Sequence, residues 1–116
     1  MAETVAASLI LMITSAVLLR MSLRANFRFQ NESRLPMQWW IDGSVNWTAP
    51  RPLALAFTPV LAVIVLVGTV LSTIFLEPHR GQANLEIPVI LTLALTFVGV
   101  HALHLALMAR TLKRPR

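Results

Sequence analysis

The chain has 116 residues, of which 56% are hydrophobic and only 13% charged, a balance that excludes an ordinary soluble domain of this size. A net charge of +5 would suggest nucleic acid in a soluble protein, but here the positive charge flanks apolar stretches, where anionic lipid headgroups are the simpler partner and nucleic acid is not expected. There is no cysteine, so disulfides, thiolate metal sites and cysteine nucleophiles are excluded.

Three apolar stretches set the expected fold: an all-α integral membrane protein with transmembrane helices at about 4–23, 53–76 and 87–109. Crossing a bilayer core of about 30 Å takes about 20 helical residues at about 1.5 Å each. The second and third stretches reach that length without an internal charge. The first meets Arg20 early, but an arginine side chain can reach back to the interface while Met21, Ser22 and Leu23 continue the span. Between Val60 and Val70 only Gly68 and Thr69 relieve the apolar run, so no polar face is left for a soluble bundle. The chain opens Met-Ala-Glu-Thr, with an acid and no base, and its basic residues follow the apolar run. That reverses the order in a signal peptide, so the first stretch is expected to be a retained span.

The basic residues divide unevenly. Arg20, Arg24, Arg28, Arg34 and Arg51 lie between the first two spans, Arg110, Lys113, Arg114 and Arg116 follow the third, and Arg80 stands alone between the second and third. Basic segments resist translocation, so both clusters are expected in the cytoplasm, with the N-terminus and the loop around Arg80 outside. Lys113 is the single lysine among the ten basic residues, a compositional hint of a GC-rich bacterial genome, so a bacterial plasma membrane is the expected location. Arg20, Arg24 and Arg28 recur every four residues and form one stripe on a continuing helix that ends near Asn31. Leu19, Leu23 and Phe27 form an apolar stripe at the same spacing. The functional reading is contact with anionic headgroups or an acidic partner surface; the plainer one is a solvated helix end that fixes topology.

The segment at about 32–52 is expected to be a tryptophan-rich interfacial loop. Trp39, Trp40 and Trp47 are the only tryptophans, and tryptophan prefers the headgroup level. Asp42-Gly43 is a turn signal, and Pro50 and Pro52 hold the chain extended into the second helix. Pro36-Met37-Gln38-Trp39, Gly43, Val45, Arg51-Pro52 and Pro59 together resemble the short module of the sporulation-delaying-protein immunity family, over about residues 35–76. The resemblance implies a membrane module in which a glycine-containing turn leads into a helix with an early proline, and a stand-alone immunity-like or signalling role. In that family the module usually follows a basic N-terminus, which would place this loop outside, opposite to the charge count.

In the third span His101 and His104 are one helical turn apart and are candidate cofactor-binding residues. Facing the same side, they cannot clamp one haem between them, and His79 belongs to the opposite loop. A haem or chlorophyll would therefore have to be shared with a partner subunit, and no cofactor is the simpler expectation. The alternative is that His101 bonds a carbonyl or hydroxyl on a neighbouring helix. No metal site is expected, since no carboxylate shares the face of the histidines. The acids are confined to loops and the terminus, and the glycines stand singly, so no catalytic residues are assigned and enzyme activity is not expected.

Small residues recur inside the spans at the spacing that lets helix backbones approach closely: Gly68 and Ser72, Thr92 and Thr96, and Ala102 and Ala106, with Gly99 beside the last pair. The leading expectation is a small non-catalytic accessory subunit, packing against other transmembrane subunits of a larger complex (respiratory or photosynthetic) or against its own copies. The orientation is tested by reporter fusions after Arg116 and at Gly81. A cytoplasmic signal at Arg116 and an external one at Gly81 are expected, and the reverse pattern would favour the family-derived topology.

Overall fold

The computed structural model describes residues 2–75 and 85–113; Leu76, Glu77, His79, Arg80, Gly81, Arg114 and Arg116 lie outside the described residues. Helix α1 runs Ala2–Arg28, strand β1 Arg34–Trp39, strand β2 Val45–Pro50, helix α2 Arg51–Phe75 and helix α3 Glu86–Lys113. The three helices have 27, 25 and 28 residues. At about 1.5 Å per residue each exceeds the roughly 30 Å of a bilayer core. All three are long and apolar enough to cross a membrane. Acidic Glu3 and Glu86 open α1 and α3, and basic Arg28, Arg110 and Lys113 close them, the order that suits a helix dipole.

The helices meet along narrow stripes. On α1 the stripe is Ala7, Thr14, Leu18, Ser22 and Ala25; on α2 it includes Leu55, Thr58, Ala62, Leu66 and Val70; on α3 it includes Ile90, Ala94, His101 and Met108. Steps of three, four and seven keep each set on one side of its helix. Small members such as Ala7, Ala62 and Ala94 let the backbones approach. One end of the bundle is packed by Ala7, Leu66, Val70 and Ile90. The other is packed by Ala25, Phe29, Ala54, Leu55, Met108 and Ala109 together with Leu35 and Ala49.

Leu35 and Ala49 belong to a β-hairpin, so the three expected helices are accompanied by a small two-stranded sheet where the sequence predicts an interfacial loop. β1 and β2 pair antiparallel, with Leu35 opposite Ala49 and Trp39 opposite Val45. The prolines that argue against strand do no harm here. In a two-stranded sheet both strands are edges, so a missing N–H can point outward. Trp40 to Gly43 form the turn: the Gly43 N–H donates to the Trp40 carbonyl, and the Trp40 N–H to the Ser44 carbonyl. Gly43 has φ 89°, a conformation that favours glycine, as in a turn followed by a glycine bulge. Asp42 Oδ1 accepts from both the Ser44 hydroxyl and its N–H. Those two donors hold the Asp42 carboxyl below its usual range, the hydroxyl contributing most.

Arg51 locks the hairpin to α1. Its Nη1 donates to the carbonyls of Phe29, Gln30 and Glu32, and its Nε to Asn26 Oδ1. Its backbone N–H donates to the Ser33 carbonyl. The chain beyond Arg28 has carbonyls with no helical partner, and a planar cation with several donors satisfies a group of them at once. Replacing Arg51 with alanine should destabilise the folded chain in detergent by about 2 kcal/mol, read as a lower unfolding midpoint. Lysine should restore little, because one ammonium cannot reach Asn26 and three carbonyls together. Full rescue by lysine would mean that charge alone matters.

Candidate functional site

The bundle's buried polar chemistry begins with Pro59. A proline inside a helix has no N–H to give to the carbonyl four residues back, so Pro59 leaves the Leu55 carbonyl without its helical donor. In an apolar surrounding such a group must find another partner. It does so on α1: the Ser22 hydroxyl donates to the Leu55 carbonyl at 2.8 Å. The same Ser22 Oγ lies 2.8 Å from His101 Nε2 on α3. Serine has one hydroxyl proton, and Leu55 O can only accept it. His101 Nε2 must therefore be the donor to Ser22 Oγ, and in the neutral form of the ring Nδ1 is then the bare nitrogen. One relay, histidine to serine to carbonyl, thus joins all three helices.

His101 is only 1% exposed, and its Nδ1 has no hydrogen-bond partner among the described residues. His104, half-buried one turn further on, meets the hairpin. The Trp39 ring stands edge-on to it, with centroids 5.7 Å apart and planes at 89°. Trp39 Nε1 donates to Thr111 Oγ1 at 2.8 Å, and Thr111 in turn donates to the Leu107 carbonyl. This second relay fixes the hairpin to α3. Among the described residues no three His, Asp or Glu side chains converge in a way that could hold a metal ion.

The expected interfacial tryptophans therefore separate. Trp39 is packed into the protein, while Trp40 and Trp47 are exposed with Ile41 at the hairpin's outer part. Trp47 Nε1 and Asn46 Nδ2 share Gln38 Oε1 as acceptor. The basic residues separate too. Arg34 is bound to the Thr48 hydroxyl and carbonyl and Arg51 to α1, whereas Arg20, Arg24 and Arg28 are exposed along α1.

The small-residue pairs are all exposed, those of Gly68, Thr92 and Gly99 on outward faces and Ala102 and Ala106 at the edge of α3 that borders α1. Gly68, Ser72, Thr92, Thr96, Gly99, Ala102 and Ala106 are exposed, and a Cβ added at Gly68 or Gly99 would meet nothing within 4 Å. The hydroxyls of Ser72, Thr92 and Thr96 bond carbonyls of their own helices, so these faces present no unmet polar group to their surroundings.

Sequence reasoning passes over Ser22, Arg51 and Thr111 as site residues. Pro59 carries a legible signal, because it leaves the carbonyl at position 55 without a donor, but nothing local says that Ser22 supplies one. No family model matches this chain, and neither a curated protein nor a solved structure matches it.

Replacing Ser22 with alanine should cost about 1–3 kcal/mol, since the Leu55 carbonyl loses its donor and the His101 N–H its acceptor. Pro59→Ala restores an N–H for Leu55, so the Ser22→Ala/Pro59→Ala pair should recover part of that loss. A double-mutant cycle on unfolding in detergent measures the coupling. Strictly additive effects would separate Pro59 from the relay.

Proposed function

We propose that this chain is a small non-catalytic membrane subunit. On this reading the outward faces of α2 and α3 dock against transmembrane helices of a larger assembly, and the hairpin end and C-terminus face the cytoplasm. The observation that carries the reading is the position of Gly68 and Gly99. Glycine inside a helix costs about 1 kcal/mol relative to alanine. Neither glycine allows a close approach within the chain, because both lie on outward faces with open space beyond. A second helix packed against them is what would offset that cost. Thr92, Thr96 and Gly99 extend the same face along α3, opposite the buried stripe of Ile90, Ala94 and His101.

The hydrogen bonds between elements support a structural role. Ser22, His101, Trp39 and Thr111 bond one another or backbone carbonyls, tying the bundle together. A haem or pigment held through His101 Nε2 would have to break the bond to Ser22, whereas His101 Nδ1 and His104 Nε2 have no hydrogen-bond partner among the described residues. Trp40, Ile41 and Trp47 suit the headgroup layer, where an aromatic ring is half sheltered.

The test is extraction of the tagged chain in mild detergent, comparing wild type with Gly68→Leu, Gly99→Leu and the double variant. Wild type should bring down larger membrane proteins in fixed proportion. The double variant should insert and fold normally, since leucine is the better helix former, yet lose them. A wild-type chain that purifies alone, or a double variant that keeps its companions in full amount, overturns the reading. Companions consisting only of further copies of this chain would replace a larger assembly with a homo-oligomer.

A further inference from the structure

A groove of about 760 Å³ runs between α1 and α3 toward the hairpin end. Its volume falls within the roughly 300–1,000 Å³ of small-molecule sites. Ala102 and Ala106 of α3 and Met21 of α1 line its apolar part, and Arg24 and Arg28 line the α1 side. The two arginines are one turn apart on a helix, so both guanidiniums can reach one anion. Among the described residues neither forms an ion pair with a carboxylate; the Arg28 guanidinium lies 5.7 Å from the centre of the Phe29 ring and also borders a smaller pocket with Glu32 and Lys113.

We propose that this groove binds one anionic phospholipid, its phosphate on Arg24 and Arg28 and an acyl chain laid against Met21, Ala102 and Ala106. The division of the groove matches an amphiphile. Arg28 lies about 10 Å further along the axis of α1 than Met21, at about 1.5 Å per residue, so a headgroup at the arginines leaves its chain directed toward the bilayer centre. The small side chains of Ala102 and Ala106 leave room that a larger residue would fill. Arginine binds phosphate oxygens bidentately and is weakly hydrated, which suits a site at the edge of an apolar layer. Arg20 belongs to the same stripe but not to the groove, so it separates a built site from diffuse attraction of a basic helix to an anionic surface.

The experiment is native mass spectrometry of the full chain released from nanodiscs of equal phosphatidylglycerol and phosphatidylcholine. Wild type should retain one phosphatidylglycerol per chain in about tenfold preference to phosphatidylcholine. Arg24→Gln/Arg28→Gln should abolish the preference, and Ala106→Leu should lower retention of the lipid while leaving the arginines in place. Arg20→Gln should change neither. These positions are exposed, and circular dichroism confirms that each variant folds. Three outcomes overturn the proposal. One is an undiminished preference in the double arginine variant. Another is an equal loss with Arg20→Gln, which reduces the effect to general surface charge. The third is a wild-type chain that carries no lipid but crosslinks to another protein through position 106, which gives the groove to a protein helix.

Discussion

The bundle depends on one carbonyl that its own helix cannot satisfy. Pro59 removes the donor for Leu55, and in an apolar surrounding an unpaired carbonyl is costly enough to dictate what packs beside it. Ser22 supplies the proton, and His101 completes the hydroxyl by donating to it. Two hydrogen bonds therefore set the rotation of α1 and α3 about α2, because turning either helix by one residue would break the relay. Apolar packing alone discriminates less sharply, since leucine, valine and isoleucine stripes tolerate small shifts. The relay satisfies one nitrogen of the buried His101 ring, Nε2, and leaves Nδ1 without a hydrogen-bond partner among the described residues.

The hairpin extends the same logic to one end of the bundle. Its inner pair, Leu35 and Ala49, closes the apolar cluster around Phe29 and Met108. Arg51 binds it to the end of α1, and Trp39 binds it to α3 through Thr111. The hairpin is thus joined to both helices that flank the groove. Its outer residues, Trp40, Ile41 and Trp47, remain for the surroundings. The segment divides the work: one tryptophan is structural, and two face outward.

What the chain leaves unused is as informative as what it buries. Arg20, Arg24 and Arg28 lie on one helix, and Gly68, Thr92, Thr96 and Gly99 lie on outward faces of two others. The first set offers charge at a helix end, the second offers close approach along the spans. A headgroup and a neighbouring helix are different occupants, and the surfaces that would receive them differ in both chemistry and position. The proposed subunit role and the proposed lipid site are therefore separable by substitution, with Gly68 and Gly99 testing one and Arg24 and Arg28 the other.

Much of the architecture is legible in the residues, because its causes are local. Hydropathy over some twenty residues announces each helix, Asp42-Gly43 announces the turn, and a spacing of four places the arginines on one stripe. The hairpin is half legible. Trp, Val and Thr around that turn suit strands, but Pro36 and Pro50 argue against them unless both strands are known to be edges. The relays are decided only by the tertiary fold. Ser22 lies 33 residues from Leu55 and 79 from His101, and Trp39 lies 72 from Thr111. Pro59 by itself determines that a carbonyl lacks a donor; which of the chain's hydroxyls answers it depends on how the helices are rotated against each other. The rotation is a property of all three packed together, and no local run of sequence contains it.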